Sequence, residues 1–84
     1  MNPSPGALRL CHAVGLATRV NIRRWAAIYD AVALLPPADQ EAELELLEAA
    51  IAAGLVIVNP GPITHSISLT AVGLEACQSA AAPE

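Results

Sequence analysis

The side chains best suited to metal or nucleophile chemistry in this chain are Cys11, His12, His65 and Cys77. Their spacing does not make a ligand set. Cys11 and His12 are adjacent, and neighbours on a helix project in different directions, so they do not easily converge on one ion. The separations to His65 and Cys77 match no zinc spacing. Two isolated cysteines in an aliphatic chain read instead as packing thiols. Ser66, Ser68, His65 and Glu75 supply hydroxyls, an imidazole and a carboxylate, but no nucleophile elbow surrounds the serines. No phosphate-cradling glycine loop is present. The expectation is a protein without catalytic residues, metal or cofactor.

The charged residues are more informative. All four cations are arginines, Arg9, Arg19, Arg23 and Arg24, and the chain has no lysine. All eight acids lie from Asp30 onward, so the net charge of −4 is the sum of a basic first part and an acidic remainder. Such segregation favours a molecule with two different binding faces. Glu41, Glu45 and Glu48 recur at i, i+4 and i+7 of a helical stretch, with Asp39 and Glu43 close by. Like charges at i, i+4 cost about 0.2–0.5 kcal/mol each, and no cation is interleaved to offset them. Glu48 is also too far from the helix start to gain from its dipole. Arg19, Arg23 and Arg24 face the converse problem, because they crowd the expected start of another helix, where positive charge is disfavoured. Either the two groups pair, within or between copies, or each awaits a partner. The row Glu41, Glu43, Glu45 and Glu48 suits a basic protein surface; the arginines suit phosphates or an acidic partner.

Elements must position these groups. The 84 residues make one domain, 1–84, and the 55% apolar content is far above the disordered range. With no Phe, one Trp and one Tyr, the core has to be aliphatic. Ser4 as N-cap and Pro5 at the first position open a helix to about Ala17. A second helix is expected from Thr18 or Asn21 to Leu35, where Ile22, Trp25, Ala26, Tyr29, Val32 and Ala33 follow the helical period and the double proline ends it. A third runs from Pro37 or Asp39 to Ala53, with Gly54 after its end and Leu44, Leu47, Ile51 and Leu55 as its buried stripe. Strands follow over Leu55–Asn59 and His65–Leu69, the second alternating with Ile67 and Leu69 inward and Ser66 and Ser68 outward. Thr70 caps a last helix to about Ser79, and residues 80–84 form a frayed, disordered tail. The fold class expected is mainly α with a two-stranded antiparallel hairpin, in the order ααα-ββ-α. Trp25, Leu44, Leu47, Ile51, Leu55, Ile67, Leu69 and Leu74 are its expected core. The uncharged run Ala49–Leu74 holds Asn59 and two prolines and is no membrane span. No basic segment precedes the first apolar stretch, which Arg9 and His12 interrupt, so no signal peptide is expected and the cytoplasm is the default location.

The stretch Leu47–Ala53, Gly54-Leu55-Val56 and then His65–Leu69, Thr70-x-x-Gly73-Leu74 resembles the end of a winged helix-turn-helix domain of the kind found in MarR-like bacterial regulators. The likeness covers roughly residues 40–78. It implies a winged-helix fold, a role in transcription regulation, and a third helix that enters the major groove of DNA. On that third helix only Gln40 could read a base edge, and the wing tip Asn59–His65 has no Arg or Lys. Duplex binding needs cations on phosphates, so DNA contact is disfavoured at the third helix and wing. The first expectation is therefore a non-enzymatic interaction module, a cytoplasmic protein that binds another protein or itself through Glu41, Glu45, Glu48 and Glu43. A DNA-binding regulator touching phosphates through Arg19, Arg23 and Arg24 is the alternative, and a structural dimer or assembly piece is the third.

Overall fold

A computed structural model describes residues 4–80. The first helix, α1, spans Pro5–Thr18, and the Ser4 hydroxyl accepts a hydrogen bond from the Ala7 N–H at 3.2 Å. It ends at Arg19, whose φ of 58° is left-handed, and Val20 follows with a φ of 53°. A β-branched residue rarely adopts that region, so the chain leaves α1 through a strained turn. A short strand β1 (Ala26–Ala27), helix α2 (Ile28–Val32), helix α3 (Pro37–Glu41) and helix α4 (Glu43–Ala52) come next. The hairpin β2 (Val56–Asn59) and β3 (Ser66–Leu69) leads into α5 (Ala71–Ala80). The architecture is mainly helical with one small antiparallel sheet, ordered β1-β3-β2. Residues 81–84, most of the expected tail, lie outside the described residues, and Ala80 belongs to α5. Among the described residues no helix is long and apolar enough to cross a membrane.

The sheet has three strands where the sequence pattern implies two. The register pairs Val56 with Leu69, Ile57 with Ser68 and Val58 with Ile67, while Ala26 lies opposite Ile67. Opposed residues share a face, so Val56, Val58, Ile67, Leu69 and Ala26 look inward. Ile67 and Leu69 are buried with Leu10 and Val14 of α1, Leu55 and Val56. Alpha-helix α1 is the centre of the molecule, packing on α2, α4, α5 and β3.

Three expectations are corrected here. The second helix does not run from Thr18 or Asn21 to Leu35, because one local and two long-range hydrogen bonds claim its first half. The Asn21 carboxamide oxygen accepts from the Arg23 N–H at 2.7 Å, an Asx turn. The Ser68 hydroxyl lies 2.6 Å from the Arg24 carbonyl and 3.2 Å from that of Ile22, which ties this turn to β3. Trp25, expected in the core, is therefore 46% exposed, and Ser68, expected outward in solvent, is buried beneath the segment.

The third helix is not continuous either. Ala42, at φ −97° and ψ 20°, separates α3 from α4. The break turns α4 so that Leu46, Leu47 and Ala50 meet the core, while Leu44 is 70% and Ile51 48% exposed. Leu47, Leu55, Ile67 and Leu69 are buried as expected, and Leu74 is half-buried against them.

The helix-to-hairpin corner follows the expected chemistry closely. Gly54, at φ 75°, accepts the left-handed position after α4. The Leu55 N–H bonds to the Ala50 carbonyl at 2.9 Å and that of Gly54 to Ile51 at 3.0 Å, the Schellman pattern. Thr70 caps α5 by accepting from the Gly73 N–H at 2.9 Å. Gly73 lets α5 come against the Leu55 carbonyl, which a Cβ there would overlap.

Urea unfolding checks this register. Leu47→Ala should cost about 2–5 kcal/mol, as large-to-small core changes do, whereas Leu44→Ala should stay within about 0.5 kcal/mol. Gly73→Ala should cost at least on the order of 1–3 kcal/mol, the range for overpacking, because the obstacle is backbone. Equal losses at Leu44 and Leu47 would contradict the break at Ala42.

Candidate functional site

The charges divide into one paired couple and two unpaired groups. Arg9, on α1, grips Asp39, on α3, with Nε 2.5 Å from Oδ2 and Nη2 2.9 Å from Oδ1. This two-pronged geometry is the strong form of the ion pair. The hydrogen bonds from Arg9 hold the Asp39 carboxyl below its usual value of 3.8, against an opposing effect of burial, and Asp39 raises the Arg9 guanidinium in return. Reading the sequence grouped Asp39 with the acids of the third helix and left Arg9 without a role. No local signal joins positions 30 residues apart. The pair anchors α3 to α1 and removes both residues from the interaction surface.

The other acids of α3 and α4 have no ion pair among the described residues. Glu41 ends α3 and Glu43, Glu45 and Glu48 lie on α4. Glu41, Glu45 and Glu48 are exposed and Glu43 is half-buried. The break at Ala42 puts Glu41 on a different helix from Glu45 and Glu48, so the expected unbroken i, i+4, i+7 stripe is instead a face shared by two helices. Leu44 and Ile51, exposed on α4, are interleaved with it. This apolar component escapes the sequence pattern, because the period-3.6 stripe places Leu44 and Ile51 in the core and leaves out Leu46, which is buried instead.

The arginines sit elsewhere. Arg19, Arg23 and Arg24 are all exposed and lie in the irregular segment between α1 and β1, not in the first turn of a helix. The dipole penalty inferred for them is therefore absent. Val20, Ile22 and Trp25, each at least two-fifths exposed, alternate with them. Among the described residues the only ion pair is Arg9–Asp39, so the arginine segment and the glutamate face do not meet within the chain.

The thiols are structural. The Cys11 Sγ donates to the Gly73 carbonyl at 3.3 Å, and Cys77 lies over Gly15, where an added Cβ would come within 2.7 Å of its sulfur. Each cysteine of one helix thus fits against a glycine of the other. Burial, aided by the nearby Cys77, pushes the Cys11 thiol up to about 11, and burial raises Cys77 as well. Beside them His12, Leu16, Val20, Cys77 and Gln78 line a small apolar cavity of about 160 Å³. Among the described residues no three His, Cys, Asp or Glu side chains gather as a metal site would require.

Comparison with protein-family models, curated proteins and solved structures gave no match for this chain. The site is therefore read from its own geometry.

Two measurements follow from these environments. Because the folded Asp39 lies below its unfolded value of 3.8, the pair's stabilisation is complete above that pH and is lost as pH falls through the lowered folded value. Thermal melts of Arg9→Met should thus lie below wild type near neutrality and converge with it in strong acid; a constant offset at every pH would contradict the pairing. Both thiols should resist a maleimide reagent in the folded protein and react once urea unfolds it, since the thiolate is the nucleophile.

Proposed function

We propose that this chain is a small non-enzymatic interaction module, built on a winged-helix-like arrangement, that binds a basic protein surface through the acidic face of α3 and α4. The observation that carries this reading is the exposure, without an ion-pair partner among the described residues, of Glu41, Glu45 and Glu48 around Leu44 and Ile51. Carboxylates supply orientation and encounter speed, and the two aliphatic side chains supply area to bury. The resemblance to winged helix-turn-helix domains is supported by the helix, the hairpin and the capped return helix in sequence after Pro37. In such a domain α4 would be the groove-reading helix, yet it carries no cation, and the hairpin tip has none either. Phosphate neutralisation dominates affinity for duplex DNA, so the surface that reads bases in the family suits a basic protein here.

The exposure of Arg19, Arg23 and Arg24 favours one second reading, a regulator that touches DNA phosphates through that segment. Such contacts would carry little sequence preference and would weaken steeply with salt.

An amphipathic peptide of alternating arginine and leucine is a direct probe. The triple change Glu41→Gln, Glu45→Gln, Glu48→Gln should slow its association at low salt by about tenfold or more, with a smaller effect on dissociation. The variant's own fold should be unchanged or slightly more stable, because like-charge neighbours are relieved. An unchanged association rate would refute the acidic-face reading. Gel shifts with random duplex across a salt series decide the second reading: binding that disappears with Arg19, Arg23 and Arg24 would support it.

A further inference from the structure

The acidic face has a natural partner in the chain's own arginine segment, carried on another copy. This inference rests on the reading of α3–α4 as a contact surface. The two surfaces match in chemistry. One has Arg19, Arg23 and Arg24 alternating with Val20, Ile22 and Trp25; the other has Glu41, Glu45 and Glu48 around Leu44 and Ile51. Every cation in the chain is an arginine, the side chain whose planar fork matches a carboxylate. Arg9 already engages Asp39 in that manner. Both surfaces are also fixed before any encounter: Ser68 holds the backbone at Ile22 and Arg24, and the acidic residues stand on helices. The backbone therefore adds little ordering cost to association, which leaves that of the side chains.

Geometry prevents the match inside one chain. The arginine segment leads into β1, at one edge of the sheet, while α4 runs into β2, at the other. Continuing the register by one residue sets Trp25 beside Ser68, across β3 from Ile57, on the face turned away from the core. Ile57 is 48% exposed, so this face extends the apolar ground around Trp25. Among the described residues no ion pair joins them, and a second copy can supply the contact that one chain lacks.

We propose that the Arg19–Trp25 segment of one copy docks on the α3–α4 acidic face of the next, head to tail. Such a heterologous contact leaves one unsatisfied surface at each end, so it grows until a ring closes or a filament extends. It also places each guanidinium cluster against a carboxylate row.

Sedimentation velocity and the emission of Trp25, the single tryptophan, test the proposal on the full chain. At about 50 mM salt the average mass should rise past dimer with concentration, with a blue shift of Trp25; about 500 mM salt, which shortens the screening length several-fold, should reverse both. The variants Arg19→Gln/Arg23→Gln/Arg24→Gln and Glu41→Gln/Glu45→Gln/Glu48→Gln should each stay monomeric. An equimolar mixture of the two should form a heterodimer and stop there, because one junction remains. A wild-type chain that stays monomeric at low salt overturns the proposal, and one that stops at dimer overturns the head-to-tail arrangement. Failure of the mixture to pair, with both variants folded by circular dichroism, also overturns it. If wild type is monomeric yet the glutamate variant loses its fast association with the arginine–leucine peptide, the acidic face stands and only the second-copy partner is wrong; if peptide association is also unchanged, both readings fall.

Discussion

The structure depends on one corner, where the end of α4 meets the start of α5. The Thr70 hydroxyl donates to the Gly54 carbonyl and accepts from the Gly73 N–H, while the Thr70 N–H bonds to the Leu55 carbonyl at 3.1 Å. A single residue thereby caps the N-terminus of α5 and ties it to the turn that follows α4. The hairpin between them is too small to persist alone in water. Tying its two ends together at this corner sets Ile67 and Leu69 against α1 and holds the register that buries them.

From that corner the rest of the packing follows. Gly73 brings α5 down onto Leu55, and this closeness is what lets Cys11 reach the Gly73 carbonyl and Cys77 rest on Gly15. Sulfur against glycine is a compact way to join two helices when the chain has no Phe to fill space. On the opposite side of α1, the Arg9–Asp39 pair fixes α3, and the break at Ala42 then turns α4 so that Leu46 and Leu47 face inward. The acidic residues are left outside by the same rotation.

The electrostatic arrangement is a consequence of the fold and a source of tension in it. Packing uses Arg9 and Asp39 and leaves Arg19, Arg23 and Arg24 on one surface and Glu41, Glu45 and Glu48 on another, each with exposed aliphatic or aromatic side chains. Exposed apolar residues scattered singly need no explanation. Apolar residues interleaved with uncompensated charge of one sign, on two surfaces of complementary sign, suit contact with another protein better than solvation alone.

Much of this was legible in the letters. Ser4-Pro5 starts a helix, Gly54 and Thr70 punctuate the corner, and Ile67 and Leu69 alternate toward the core, because each depends on its neighbours in sequence: capping, left-handed backbone and the period of a strand act locally. The segregation of arginine from glutamate is likewise a property of the sequence alone. Tertiary structure decided the rest. Residues 22–33 have helical periodicity, yet Ser68, far along the chain, ties the turn at Ile22–Arg24 to β3, and Ala26 and Ala27 pair with β3 as a third strand. Periodicity favours the stripe Leu44, Leu47 and Ile51, and only the packing partner chose Leu46 and Leu47 over Leu44 and Ile51. Asp39 resembled its acidic neighbours until Arg9 selected it from the other side of the core. In each case a long-range contact outweighed a local preference of comparable size, and that is why the exposed half of the candidate surface, from Trp25 to Leu44 and Ile51, emerges only in the folded chain.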